Sequence, residues 1–254
     1  MGGFGWRRPR FMHIPRIHIQ EPLSVGKKIV LNTEISRHLS SVLRVKIGDV
    51  VLVFNGTGGE FYSKIFEIAK QHTTIIIEKF NAGNAESSLK IHLLQGISRG
   101  EKMDFTIQKA VELGVHAITP LFTEYCNVKL EAERLDNKLR HWQAIAIHAA
   151  EQSGRCYVPQ ILTAQDLKMQ MAQASLGLHL VLAPGVENSL GKITEKVDNV
   201  VLLVGPEGGF SPEEMTYILK KHFLPVKLGP RILRTETAAL VALSVLQAKW
   251  GDLV

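Results

Sequence analysis

Between Val200 and Leu240 the chain reads VVLLVGPEGGFSPEE and then, after a short interval, VKLGPRILRTETAAL. Each piece is a short apolar strand, a loop carrying Gly and Pro, and a helix start. That grammar restricts the fold, because a strand that runs through a loop into a helix is the repeating unit of an open α/β sheet. In such sheets ligands bind outside the carboxyl ends of the strands, where strand ends and helix starts leave backbone groups unpaired. Two such loops close together in sequence predict one pocket.

What the loops lack narrows the ligand. GPEGGF has neither the Gly-Lys-Ser/Thr ending of a phosphate-cradling loop nor G-x-G-x-x-G spacing, and Glu207 would repel a polyphosphate. A neutral or cationic ligand fits better. Gly205, Gly208 and Gly209 suit a backbone that passes close to a ligand or takes positive φ, although an ordinary tight turn uses the same residues. The second loop sets Arg231 and Arg234 beside Glu236 at a helix start. A carboxylate there favours the helix dipole, and the two arginines suit an RNA phosphate or an anionic base.

The rest of the chain falls into two rhythms. From Arg16 to Phe80, the short runs RIHI (16–19), KIVL (28–31), VVLVF (50–54), EFYSKIFEI (60–68) and TTIIIE (73–78) predict a small β domain. One helix interrupts it, opened by Asn32 or Thr33, with Ile35, Leu39, Val42 and Leu43 on one face and Arg37 and Arg44 opposite. Asn55 to Gly59 supplies a hairpin turn, and NAGNAESS (81–88) marks a linker. Beyond it, strands alternate with helices. KIHLLQGI leads to a helix over Glu101–Leu113 closed by Gly114, and AITPLF to a long helix over Glu131–Gln152. A weaker helix near 164–174 and strands at 177–183 and 200–204 follow. Ser211 and Glu214 have capping-box spacing, and Thr235 is placed to cap a last helix that runs to about Lys249. That helix is apolar around much of its circumference, through Ala238, Leu240, Val241, Leu243, Val245 and Leu246, which predicts burial against a second surface such as another subunit. Residues 1–11 show no periodicity and are expected to form a disordered extension, so the expected domains are 12–82 and 88–254.

The formal charge of +6 is unevenly spread: residues 1–90 hold 13 Lys and Arg against 7 Asp and Glu, whereas residues 91–254 hold 17 against 17. The excess marks the β domain as the candidate for nucleic acid. Arg7, Arg8 and Arg10 supply half of it, and a solvated basic face would look the same. No apolar run reaches membrane-spanning length, and the first residues lack the apolar core of a secretion signal. Cys126 and Cys156 are too few for a disulfide framework and fit no metal spacing, so a reducing, cytosolic setting without a metal is expected. His141 and His148 suit surface or packing roles. Phe61 and Tyr62 are candidates to stack on a base, with packing as the alternative.

Taken with SRGEKMDFTIQKAVELGV (98–115) and EQSGR (151–155), the two loops GPEGGFSPEE and LGPRILRTETAAL give a chain that resembles the ribosomal RNA small-subunit methyltransferase E family. These are SPOUT-class enzymes that methylate N3 of one uridine in small-subunit ribosomal RNA with S-adenosylmethionine. The resemblance runs from about Met12 to the C-terminus. It implies an α/β fold in which a PUA-like β-barrel that binds RNA precedes a parallel-sheet SPOUT domain with a deep trefoil knot, an exception to the rule that chains are unknotted. It also implies a cytoplasmic homodimer with its active site near the subunit interface, acting on small-subunit ribosomal RNA or the 30S subunit, without membrane or metal.

Carried over residue by residue, Val204, Gly205, Pro206, Gly208, Gly209, Leu228, Gly229, Ile232, Leu233, Thr235, Glu236, Thr237 and Ala238 would enclose the cofactor, largely through backbone groups. Arg16, Arg44, Lys102, Lys109, Arg155 and Arg231 would face RNA. N3 of uracil bears a weakly acidic imide proton, so methylation needs that proton removed or the anion stabilised. Arg234 or Arg155 is the candidate stabiliser, and Glu112 and Glu207 are the candidate bases. Two alternatives stay open: a SPOUT enzyme acting on another RNA atom, such as a ribose 2'-hydroxyl, and a ribosome-assembly module that has lost turnover.

Overall fold

A computed structural model of the chain describes residues 14–83, 86–126, 132–173 and 176–253. The expected extension over residues 1–11 lies outside them. The chain divides into two compact units, Met1–Asn84 and Ala85–Val254.

The first unit contains β1 (Arg16–His18), β2 (Lys28–Val30), α1 (Thr33–Arg37), β3 (Val50–Phe54), β4 (Glu60–Ile68) and β5 (Thr73–Asn81). The five strands form one sheet in the order β1-β3-β4-β5-β2, antiparallel except for the β1–β3 pair. Ile17 and Ile29 stand at opposite ends of that order, yet they share one core cluster with Leu39, Val51, Ile65 and Ile75. The sheet therefore curls around a single core, as five alternating strands must if each is to bury one face. The turn from β3 to β4 needs Gly56, Gly58 and Gly59 at positive φ, and Asn55 Oδ1 accepts from the Thr57 amide at 3.2 Å. Phe61 packs on Phe80, with ring centroids 5.0 Å apart.

The helix in this unit departs from its expected face. Asn32 caps it by accepting from the Ile35 amide at 2.8 Å, but after Arg37 the backbone widens into one π turn over His38–Val42. That turn adds residues between successive contacts and swings the next side chains off the 3.6-residue stripe. Val42 and Leu43, expected beside Ile35 and Leu39, are therefore 65% and 42% exposed. Arg44 closes the turn in the left-handed region at φ 53°.

The second unit runs β6 (Lys90–Gly96), α2 (Glu101–Glu112), β7 (Ala117–Phe122), α3 (Ala132–Ser153), β8 (Gln160–Ile161), β9 (Gln165–Asp166), α4 (Leu167–Ala172), β10 (Leu178–Leu182), β11 (Asn199–Val204), α5 (Pro212–Lys220), β12 (Leu224–Val226) and α6 (Thr235–Trp250). All its strand pairs are parallel, in the order β12-β10-β11-β6-β7-β8, with β9 also on β7. Strands buried on both faces read as continuous apolar runs, and Val200–Val204 is wholly buried. The chain builds outward from β6 to β7 and β8 in one direction. β10 and β12 lie on the other side, beyond β11. The order therefore switches between β6 and β11, and a crevice opens at their carboxyl ends.

The helices are fixed by specific bonds. The capping box at α5 forms, with the Ser211 hydroxyl accepting from the Glu214 amide and the Glu214 carboxylate from the Ser211 amide. α3 is tied to α2 through Trp142 Nε1, which donates to Asp104 at 3.0 Å. α6 buries Ala239, Ala242, Leu243, Leu246 and Trp250, while Leu240, Val241 and Val245 stay partly exposed. Among the described residues, no helix is long and apolar enough to cross a membrane.

Candidate functional site

A cleft of about 700 Å³ opens at the switch point of the second unit. Backbone packing fixes one of its walls. β6 ends in Gly96, where a Cβ would stand 2.5 Å from the Pro206 ring, so only glycine lets the strand end lie against the loop that leaves β11. That loop, Gly205 to Gly209, turns tightly through the Gly209 amide, which donates to the Pro206 carbonyl at 2.9 Å, with Gly209 at φ 71°. The opposite wall is Ile232 to Thr235 and Ala238, and Leu182 and Pro184 close one end. A recess of about 80 Å³ shares Leu182, Pro184, Ile232, Leu233 and Ala238 with the cleft, and adds Leu228, Gly229 and Arg231.

Most of the expected cofactor residues come together here. Val204, Gly205, Pro206, Gly208, Gly209, Ile232, Leu233, Thr235 and Ala238 line the cleft, and Leu228 and Gly229 line the recess. Glu236 and Thr237 line neither. Sequence reasoning missed Leu182, Ala183, Pro184 and Phe210. The signal was present, because β10 runs into Leu182-Ala183-Pro184 much as β11 runs into Gly205-Pro206.

Thr235 does not cap α6. Arg234 holds the cap position, without a side-chain bond to the first turn, and Thr235 opens the helix proper. Its hydroxyl instead donates to the Gly205 carbonyl at 2.6 Å. Gly208 also differs from expectation as the place of closest approach to a ligand, since a Cβ there would meet Tyr125 Cβ at 2.8 Å. Its bare backbone accommodates a neighbouring loop of the chain.

The charged candidates separate sharply. Glu207 accepts from Lys102 at 3.0 Å on the rim of the cleft. Burial alone would raise its pKa, but bonds from its own backbone amide, Lys102 and the Arg99 amide, together with the Lys102 charge, leave it below the ordinary carboxylate value. A carboxylate held in its ionised form is a poor proton acceptor. Glu112, the other candidate base, is paired with Lys109 at 2.7 Å in the last turn of α2. Ten residues separate it from Lys102, which puts it about 15 Å farther along the helix axis and away from the cleft.

Arg155, expected to face RNA or stabilise the base, is 4% exposed. Its guanidinium donates to Glu86 at 2.8 and 3.1 Å and to the carbonyls of Val111 and Val115 at 2.9 Å each. It thus caps the carboxyl end of α2 and binds that end to the chain around Glu86. Arg16, another expected RNA contact, is ion-paired with Glu60 with its side chain 11% exposed, and it lies over the Phe54 ring at 5.2 Å. A phosphate would have to displace Glu60. Arg44, Arg231 and Arg234 remain exposed. Arg234 stands on the cleft itself at the start of a 16-residue helix, where the helix dipole adds to its charge.

Residues 85–247 match the family model described as RNA methyltransferase domain, and residues 31–78 match the RNA methyltransferase PUA domain. The chain is 42% identical over 241 residues to the ribosomal RNA small subunit methyltransferase E of Buchnera aphidicola subsp. Schizaphis graminum, covering 94% of this chain and 98% of that protein. It is similar in structure to the Neisseria gonorrhoeae ribosomal RNA small subunit methyltransferase E bound to S-adenosyl methionine, with a TM-score of 0.90, 39% identity and coverage of 95% and 100%. A Legionella pneumophila putative methyltransferase, solved with its cofactor, superposes with a TM-score of 0.91 at 41% identity, covering 94% of this chain and 99% of that one.

Proposed function

The chain belongs to the ribosomal RNA small subunit methyltransferase E family, and from that premise we propose that it transfers the methyl group of S-adenosylmethionine to N3 of a uridine in small-subunit ribosomal RNA. The observation that carries this reading is the cleft between the Gly205–Gly209 loop and the start of α6. Its size falls in the range of small-molecule sites, and its walls suit a nucleoside without phosphates. Leu182, Pro184, Val204, Phe210, Ile232 and Leu233 supply apolar surface, and the glycine loop supplies backbone. Those residues would hold the cofactor, which supplies an electrophilic methyl group when bound.

The chain's own residues act on the uracil. Loss of the imide proton to water leaves negative charge spread over N3 and the flanking carbonyl oxygens. The Arg234 guanidinium and the uncapped amino end of α6 favour that anion. The ionised Glu207 is engaged by Lys102, so the set is built to stabilise an anion more than to accept a proton. In this reading the loops around the cleft form the family's trefoil knot, the half-exposed apolar residues of α6 meet a second subunit, and the homodimer works on ribosomal RNA in the cytoplasm.

Two measurements test the proposal. Calorimetry with S-adenosylmethionine and S-adenosylhomocysteine should give saturable one-site binding, which an RNA-only assembly factor would lack. Nucleoside mass spectrometry of ribosomal RNA should show 3-methyluridine in cells with the gene and lose it on deletion. Full retention of that nucleoside, or its replacement by loss of a ribose-methylated one, overturns the assignment of the target atom.

A further inference from the structure

Gln95 is the one polar side chain in the last four residues of β6 and is fully buried. Its register partner on β11 is Val204, immediately before Gly205. Its amide nitrogen lies 3.1 Å from the Gly96 carbonyl and 3.1 Å from the Thr235 hydroxyl. The direction of this chain of bonds is forced. A hydroxyl has one hydrogen, and that of Thr235 is spent on the Gly205 carbonyl at 2.6 Å, so the hydroxyl must accept from Gln95. The Gln95 carbonyl oxygen is left buried and without a hydrogen-bond partner among the described residues.

We propose that Gln95 is a positioning residue for the cofactor cleft: through the Thr235 hydroxyl it fixes the Gly205 carbonyl, and so sets the Gly205–Gly209 loop against the first turn of α6. Two segments that line the cleft, the glycine loop and the helix start, meet the end of β6 in this one relay. Gly96 lets the backbones approach, and Gln95 supplies the direction. An unpartnered buried amide oxygen is costly, and an apolar side chain of the same shape would avoid that cost. A glutamine here makes two bonds that an apolar side chain cannot, to the Gly96 carbonyl and to the Thr235 hydroxyl. A preorganised loop spends less of its binding energy on ordering, so the relay acts on cofactor affinity.

The inference rests on the methyltransferase reading, and the test separates the two. Cofactor affinity is measured by calorimetry with S-adenosylhomocysteine on the whole protein, beside thermal unfolding, for wild type, Gln95→Met, Thr235→Val, Thr235→Ser and the Gln95→Met/Thr235→Val pair. Loss of one neutral hydrogen bond corresponds to about 5- to 10-fold weaker binding. Gln95→Met and Thr235→Val each remove the Gln95–Thr235 bond together with one other, so each should show at least that loss, the pair should lose less than the sum of the two, and Thr235→Ser should bind like wild type. Full affinity in Gln95→Met, additive losses in the pair, or reduced thermal stability with unchanged affinity would overturn the proposal. If Gln95→Met does not fold, equal affinity of Thr235→Ser and Thr235→Val overturns it instead. Absence of binding by wild type would refute the underlying reading and not the relay.

Discussion

Replacing Arg155 separates a structural arginine from an RNA contact. Arg155→Ala removes two hydrogen bonds to Glu86 and two to the Val111 and Val115 carbonyls. Glu86 keeps its bonds from the Cys156 and Tyr157 amides and is 35% exposed, so water recovers part of that loss. The Val111 carbonyl keeps a bond from the Gly114 amide at 3.0 Å, whereas the Val115 carbonyl loses its arginine partner, and a buried unsatisfied group costs about 1–3 kcal/mol. With the partly screened loss at Glu86, the sum is about 2–4 kcal/mol. For a chain of this size, that lowers Tm by roughly 10 °C. Scanning calorimetry reads it directly, and RNA affinity is measured at a temperature where the variant is folded. Arg155→Lys sharpens the contrast, because a point ammonium cannot reproduce a fork that serves a carboxylate and two carbonyls, whereas a phosphate contact would tolerate it. Wild-type Tm with collapsed RNA binding in Arg155→Ala, or full function in Arg155→Lys, would refute the structural role.

Gly96→Val should displace Pro206 and weaken cofactor binding at least about tenfold while the protein stays folded, as calorimetry and circular dichroism would show; unchanged affinity means the loop does not need this contact. Arg44→Ala should reduce the slope of log K for RNA against log salt by about 1, and Arg16→Ala should leave the slope and lower Tm, since only Arg44 is exposed and unengaged by a buried carboxylate. His92 titrates far below its ordinary value, at about 4, first because burial disfavours its charge and then because His116 lies close. Its folded pKa is below its unfolded one, so its contribution is full above about pH 6.5 and falls as pH drops toward 4. Urea titrations should show about 2 kcal/mol less stability at about pH 5 than at about pH 7 from this group. His92→Gln should remove most of that difference, and an equal pH dependence in the variant would assign it elsewhere.

The cleft was largely legible because it is made of punctuation. Glycine, proline and the switch from strand to helix leave marks in a one-dimensional string, and those marks sit at Gly205–Gly209 and Leu228–Ala238. The roles of the cations were much less legible. EQSGR ends in an arginine that any composition argument would place in solvent, but its partner Glu86 lies 69 positions away, and no local pattern reports that distance. Arg16 and Glu60 pose the same problem across 44 positions. Val42 and Leu43 were misplaced for a different reason, since a period of 3.6 carries no warning of a π turn. Gln95 left a faint trace, as a lone amide in the otherwise apolar, buried second half of β6.

The neighbourhood of β6 and β11 also bears on how the chain is made. β6 ends at Gly96, and its partner on that side begins at Asn199. At about 5–20 residues per second, β6 emerges from the ribosome about 5–20 s before the strand that covers its edge. During that interval an apolar strand shows open backbone donors and acceptors, which is a template for pairing with another chain. Biosynthesis of this protein therefore passes through a window in which the centre of its future sheet is an unguarded edge. Slow translation across residues 97–198 lengthens that window, and a chain arrested before Asn199 never leaves it.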